Sequence, residues 1–166
     1  MSDETVDYIV IGAGSAGAVL ANRLSASGKY QVLLLEAGRT GHPLARFPFS
    51  YAKFLDNPAV NWLYESEPEE GTANRRLPVP RGKILGGSSS INGLVFVRGQ
   101  AQDYDMWAQL GNRGWSYEDV LPIFRDMESY SGDGNNEFRG SNGPLKISDT
   151  LEEGVLYEKI IEAANH

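Results

Sequence analysis

The feature that most constrains this chain is the stretch from Val6 to Glu36, VDYIVIGAGSAGAVLANRLSASGKYQVLLLE. The apolar run Tyr8-Ile9-Val10-Ile11 is rich in β-branched residues and stops at Gly12. Gly12-Ala13-Gly14-Ser15-Ala16-Gly17 follows, with the spacing G-x-G-x-x-G. Next comes a helical pattern that puts Ala16, Val19, Leu20 and Leu24 on one face, with Gly28 placed as a helix C-cap. A second buried-strand run, Val32 to Leu35, ends in Glu36, nineteen residues beyond Gly17. Strand, glycine turn, helix, strand and acid, in that order, form a dinucleotide-binding fingerprint. Gly12 allows the tight turn, Gly14 lets a pyrophosphate approach the backbone, and Gly17 lets helix and strand pack closely. The helix N-terminus offers free N–H groups and the positive end of its dipole to phosphates. Glu36 is expected to accept hydrogen bonds from ribose hydroxyls and to repel a 2′-phosphate. The predicted fold class is α/β, a Rossmann-like FAD/NAD(P)-binding fold. A sheet of that kind needs more strands than 6–11 and 31–36 supply, so the fold is expected to be incomplete in this chain.

Composition removes several alternatives. With 22 acidic and 15 basic residues, a net charge of −7, the chain lacks the basic footprint of a nucleic-acid binder. No apolar run approaches the roughly 20 residues of a membrane span. The acidic start MSDETVDY leads straight into a strand and does not read as a signal peptide. There are no cysteines, in keeping with a reducing cytoplasm. Two well-separated histidines, His42 and His166, make a histidine metal cluster an unlikely design, and no metal site is expected.

From Arg39 to Pro80 the pattern changes. Prolines at 43, 48, 58, 68, 78 and 80 punctuate aromatics at 47, 49, 51, 54, 62 and 64, and no helical or alternating period is sustained. This reads as a long surface excursion pinned by its aromatics, with Glu65, Glu67, Glu69 and Glu70 as a solvated face. Trp62 and Tyr64 are placed to cover a planar ligand. Residues 81–99, RGKILGGSSSINGLVFVRG, form a second glycine-rich stretch. Gly86-Gly87-Ser88-Ser89 offers closely spaced N–H groups and hydroxyls to a phosphate or a polar ring edge, and Gly93 permits close backbone approach to a flat ligand. Leu94 to Val97 reads as a short buried strand. A serine nucleophile is excluded because the elbow G-x-S-x-G is absent.

Downstream, Asp103 to Leu110 reads as a short helix ended by Gly111. Ser116 with Asp119 forms a capping box before a helix whose apolar face is Val120, Ile123, Phe124 and Met127 and whose first turns Pro122 should bend or interrupt. Residues 130–144 read as a surface loop, 145–148 as a short strand, and a helix is predicted from Leu151 through Ala164.

Gly82-Lys83-x-Leu85-Gly86-Gly87-Ser88-Ser89-x-Ile91-Asn92, followed by Phe96, Gly99 and Asp105, resembles the first signature of the glucose–methanol–choline (GMC) oxidoreductases, which are FAD-dependent enzymes. The fingerprint closing in Glu36-Ala37-Gly38 is similar to that family as well. So are Asn61-Trp62-x-Tyr64, Asp105-x-Trp107, Gly114-Trp115-Ser116-Tyr117 and Leu121-Pro122. The likeness is strongest to the choline-dehydrogenase-like branch and covers nearly every residue from 6 to 148. It implies a chain spanning the N-terminal part of an FAD-binding domain over 1–166, with the excursion at 39–80 inserted. The substrate domain and the C-terminal catalytic part would lie elsewhere.

By the same resemblance, Gly12, Gly14, Ser15, Ala16 and Gly17 hold the FAD pyrophosphate, and Glu36 the adenosine ribose. Ala37, Trp62, Ile84, Gly87, Ser88, Asn92, Gly93, Leu94 and Val95 complete the cofactor set, with Ser88 and the run Asn92 to Val95 lying along the flavin and its linker. Some family members carry a histidine just before the matching asparagine, bonded covalently to the flavin. Here Ile91 occupies that place, so FAD is expected to bind non-covalently. The implied reaction is oxidation of the CH–OH group of a small-molecule alcohol to an aldehyde or ketone, with hydride passing to flavin N5. No catalytic residue is assigned to this chain, and its partner is expected to be the remainder of the same polypeptide. Two rival readings stay open: an NAD-dependent dehydrogenase, and a non-catalytic nucleotide-binding fragment.

Overall fold

The computed structural model describes residues 5–134, 137–149 and 154–164. They belong to two compact units, residues 1–95 and 96–166.

The first unit is built on the fingerprint. Strands β1 (Tyr8–Ile11) and β2 (Val32–Leu35) pair in parallel, Tyr8 opposite Val32 and Ile11 opposite Leu35. A parallel pair cannot be joined by a tight turn and needs a crossover; α1 (Ser15–Ser25) supplies it. The helix was expected to turn Ala16, Val19, Leu20 and Leu24 inward. Instead Gly17 is buried, Ala21 and Leu24 are half-buried, and Ala16, Val19 and Leu20 are exposed. The closest approach decides the rotation: Gly17 has no side chain, so α1 sits down on Gly12 and Val10 at that point, and positions four and seven residues on share its face. The helix also ends earlier than Gly28 suggests. Ala26 is its C-cap, and Gly28 follows in a left-handed turn at φ +67°, its N–H on the Ser25 carbonyl at 2.9 Å.

The excursion is a folded loop with a core of its own. Two 3₁₀ helices, Pro43–Arg46 and Pro48–Phe54, lead to the two-residue strands β3 (Tyr64–Glu65) and β4 (Pro78–Val79), paired antiparallel. The core contains Phe54, Val60, Ile84 and Ile91, with Leu44 against it. Of the aromatics expected to pin this region only Phe54 is buried; Phe47, Phe49, Tyr51, Trp62 and Tyr64 are exposed. The missing anchor is polar. Asn61 is 2% exposed; its amide donates to the carbonyls of Phe54 and Leu55, and its oxygen accepts from the N–H groups of Leu63 and Arg81 at 3.0 Å each. A buried amide with its donors and acceptor satisfied fixes a loop as firmly as a packed ring. His42 caps the first 3₁₀ helix, its Nδ1 accepting from Leu44 N–H at 3.2 Å. The acidic residues 65, 67, 69 and 70 are exposed, as their spacing suggests.

The strand predicted over Leu94–Val97 does not form. Leu94, Val95 and Val97 are 59–81% exposed, and Leu94 takes φ +65°. An extended segment is held by a ladder partner, and a left-handed residue at its start breaks the pleat.

In the second unit, α2 (Ala101–Gln109) and α3 (Tyr117–Met127) each open on a capping box, Gln100 with Asp103 and Ser116 with Asp119. Tyr104 joins them, its ring 5.5 Å from Phe124 edge-on. Gly111 ends the first helix at φ +100°. The second runs through Pro122 to Met127 without the expected interruption. One backbone rung is lost there, while Val120, Leu121, Phe124 and Met127 face inward on both sides of the proline. Ile123, expected on that face, is 63% exposed. Strands β5 (Glu128–Ser131) and β6 (Leu145–Ser148) pair in parallel. The loop predicted from 130 therefore begins after Ser131, because β6 captures Tyr130 and Ser131. The last helix is α4 (Val155–Ala164); its predicted start at Leu151 lies outside the described residues.

Candidate dinucleotide site

The fingerprint turn does not stand alone. The Gly86 N–H donates to the Ala13 carbonyl at 2.8 Å. A Cβ on Gly87 would lie 2.7 Å from Gly14 Cα, and Gly87 itself sits at φ +59°. Two glycine-rich turns some seventy positions apart in the chain thus meet backbone to backbone. An open cleft of about 650 Å³ lies along them, lined by Gly12, Gly14, Ser15, Glu36, Ala37, Trp62, Gly87 and Ser88, together with Ile11, Leu35, Tyr64, Arg81 and Gly82. That volume is within the usual range for small-molecule pockets. A wider hollow of about 800 Å³ beside His42 and Arg46 is lined by no glycine of either turn.

Each group at the cleft has a local cause. Helix α1 starts at Ser15 with Gly14 as N-cap; Gly14 has no side chain to accept from the first turn, and no acidic residue lies there. The first-turn N–H groups and the positive helix end are left for an outside anion. Ser88 lies in a 3₁₀ turn, Gly87–Ser90, and its Oγ accepts from Gly82 N–H at 3.1 Å. The Ser89 hydroxyl was expected to face a ligand, but it donates to the Gly86 carbonyl, and Ser90 beside it to the Leu85 carbonyl, at 2.7 Å each. Their hydroxyls close the loop. Trp62 and Tyr64 stack face to face, centroids 5.9 Å apart and planes 3° from parallel, with Lys83 Nζ 4.6 Å from the Trp62 ring centre. The pair forms a flat aromatic wall at the cleft.

The structure separates the predicted site residues into groups. Gly12, Gly14, Ser15, Glu36, Ala37, Trp62, Gly87 and Ser88 line one cleft. Gly17 is buried in α1; Ile84 is buried in the core with Phe54, Val60 and Ile91 and lines the 800 Å³ hollow, not this cleft; Ala16 is exposed on the first turn of α1. Asn92, Gly93, Leu94 and Val95 are exposed and do not line that cleft. Arg81 was missed. It is the cation among the cleft residues, and its position just before Gly82 in the glycine-rich stretch was the available signal. Among the described residues no group of three His, Cys, Asp or Glu side chains is placed to hold a metal, and no helix is long and apolar enough to cross a membrane.

Comparison with known proteins is decisive at this point. The GMC oxidoreductase family profile matches residues 6–166. This chain belongs to the GMC oxidoreductase family. Its fold is the N-terminal FAD-binding portion of the GMC architecture. An oxygen-dependent choline dehydrogenase of Sinorhizobium fredii is 48% identical over 158 residues, covering 95% of this chain and 29% of that protein. One from Photobacterium profundum is 46% identical over 162 residues, covering 96% and 28%. Among solved structures, a pyridoxine 4-oxidase from Mesorbium loti superposes with a TM-score of 0.88 at 33% identity, over 97% of this chain and 32% of that one. An FAD-dependent oxidoreductase from Chaetomium thermophilum gives 0.82 at 30% identity, over 97% and 29%. The chain thus spans about three-tenths of the length of the relatives it matches.

The GMC cofactor can be tested against the cleft itself. A dinucleotide needs backbone free of side chains beside its pyrophosphate, anion-seeking N–H groups and a flat apolar wall for a ring. The glycine contact between the two turns, the open start of α1 and the Trp62–Tyr64 stack supply all three. The residues present fit FAD.

Proposed function

We propose that this chain forms the dinucleotide-holding part of an FAD-dependent oxidoreductase that acts on the CH–OH group of a small-molecule alcohol and gives an aldehyde or ketone. The observation that carries this reading is the backbone contact between the Gly12–Gly17 and Gly86–Gly87 turns beside one cleft. In an NAD enzyme the first turn alone would suffice. The second turn, belonging to the GMC signature, favours the flavin.

The Gly12–Ser15 backbone and the first turn of α1 would hold the pyrophosphate, Ala16 through its N–H and Gly17 from below by letting the helix approach. Glu36 and Ala37 would lie at the adenosine ribose. Trp62 would cover the ring edge of the cleft, Gly87 and Ser88 would line its far side, and Ile84 would contribute only through the apolar core it shares with Phe54, Val60 and Ile91. Asn92, Gly93, Leu94 and Val95 would lie along the flavin. FAD, when bound, supplies the hydride acceptor for the oxidation. The chain's own contribution is to bind, to orient and to stabilise the phosphate charge through fixed N–H groups. Ile91 is 4% exposed in the apolar core and has no nucleophilic atom, which supports non-covalent binding. The rest of the polypeptide would supply the catalytic base and the alcohol pocket, and the absence of cysteine in this chain suits a cytoplasmic setting.

The test is direct. The purified full protein is expected to be yellow and to release FAD intact on denaturation in acid. A colourless protein that binds NADH would overturn the reading in favour of a nicotinamide enzyme. A sharper expectation concerns Gly14. A Cβ there would stand 3.9 Å from Gly87 Cα, an ordinary contact, and its φ of −74° suits any residue. Nothing in the protein requires glycine at this position. Gly14→Ala should therefore melt close to the parent when stripped of flavin, yet bind FAD at least tenfold more weakly, a penalty of about 1.4 kcal/mol or more. Fluorescence titration with FAD reads the loss. Unchanged affinity would remove the pyrophosphate from this turn.

A further inference from the structure

We propose that Glu36 is a positioning residue that clamps the two glycine turns together, a role separate from any contact with a ribose. Both oxygens of its carboxylate accept a hydrogen bond from within the chain. Oε2 accepts from the Ala13 N–H at 2.8 Å, and Oε1 accepts from the Gly38 N–H at 2.8 Å. Ala13 is 1% exposed, and its carbonyl in turn accepts from the Gly86 N–H at 2.8 Å. One side chain thus joins the exit of β2 to the first glycine turn, and through Ala13 to the second.

The geometry gives a reason for an acid here that does not involve ligand. The last rung of the β1–β2 ladder runs from Gly12 N–H to the Leu35 carbonyl at 2.7 Å. Beyond it both chains turn away, and the N–H groups of Ala13 and Gly38 lose their strand partners. Ala13 is buried and Gly38 half-buried, and donors shielded from water without acceptors are costly. Both partners are donors, so the bridging side chain must accept at both ends. A carboxylate does so; an amide of the same length presents one oxygen and one NH₂, and its NH₂ would face an N–H. Each carboxylate oxygen keeps further lone-pair capacity, so a ribose contact is compatible with the clamp and does not explain it.

The proposal concerns the protein without cofactor and so stands apart from the FAD reading, although its second arm uses that site. The full protein is stripped of flavin and compared as parent, Glu36→Gln and Glu36→Ala. Both variants are expected to melt about 3–6 °C lower than the parent. Titration with ADP and with 2′,3′-dideoxy-ADP then separates the two roles. The clamp predicts that Glu36→Gln weakens both ligands by a similar factor, on the order of tenfold. If the penalty disappears for the dideoxy ligand, Glu36 acts through ribose alone and the clamp is overturned. Unchanged melting of the stripped variants overturns it as well. Failure of the parent to bind ADP would count against the dinucleotide reading, leaving the melting comparison to decide the clamp.

Discussion

Gly17→Ala is expected to unfold the first unit of this protein or cost it about 3 kcal/mol or more. A Cβ at that position would overlap the Gly12 carbonyl oxygen and lie 3.0 Å from the Gly12 carbonyl carbon and 3.4 Å from Val10 Cγ1. The first two obstacles are backbone atoms of the turn, and they cannot move aside as a flexible side chain would. Overpacking a tight core typically costs 1–3 kcal/mol and occasionally more. Here the helix must also lift from β1, which would pull Gly14 out of contact with Gly87. Thermal melting of the flavin-free full protein checks this against Gly14→Ala, the variant expected to melt normally. The two substitutions add the same methyl group three residues apart. If both variants melted like the parent, the close helix–strand approach would not be what Gly17 provides.

Removing the Glu128 carboxylate is the second large effect. Glu128 is wholly buried; its Oε2 lies 2.7 Å from Arg98 Nη2 and 3.3 Å from Arg139 Nη1, and its Oε1 accepts from Gly140 N–H at 2.9 Å. Arg98 also donates to the carbonyls of Phe138 and Phe124, and among the described residues its Nε is the buried side-chain polar atom left without a partner. Glu128→Ala would leave the Arg98 charge, 12% exposed, without its counter-charge. Breaking a buried pair on one side typically costs about 3–5 kcal/mol. The β5–β6 pair and the 138–140 segment should loosen first, read as faster amide exchange at Tyr130 and Gly140.

The same group should make the second unit sensitive to acid. Burial pushes the Glu128 carboxyl upward, but the Gly140 N–H, the Arg98 hydrogen bond and the Arg98 and Arg139 charges together hold it below its ordinary value of 4.5. A carboxyl depressed in the folded state stabilises fully above its unfolded value and loses that stabilisation as pH falls through its folded one. Stability of this unit should therefore be at its full value above about pH 4.5 and decline below it. Glu128→Gln should be less stable at pH 7 and show a flatter decline in acid. Chemical denaturation of parent and variant at pH 7 and pH 4 measures this. Parallel losses in both proteins would assign the acid sensitivity to other carboxylates.

The fingerprint was legible because its constraints are local. The spacing of Gly12, Gly14 and Gly17, the strand runs on either side and the Ser116–Asp119 box all act within a few residues, and the structure shows the elements they predict. Which face a short helix buries was not legible. The apolar pattern of α1 offered Val19 and Leu20, but a steric fact at Gly17 rotated the helix; in α3 Ile123, also offered by the pattern, is exposed. The excursion was readable as irregular. Its anchor was not, since Asn61 acts through four backbone groups that lie six or seven residues before it, two after it and twenty after it. Leu94–Val97 had the composition of a strand, and composition says nothing about whether a ladder partner is present.

The sequence by itself determined that a glycine turn leads from β1 into α1 and which family the chain belongs to, because glycine spacing and the strand–helix–strand period are properties of neighbouring residues. Only the tertiary structure decided that Gly86 and Gly87 close on Ala13 and Gly14, that Arg81 joins the cleft, and that Glu36 ties β2 to the first turn. The Gly86, Gly87 and Arg81 contacts depend on how forty residues of excursion fold back, and the Glu36 contact on the pairing of β1 with β2; no local periodicity records either path.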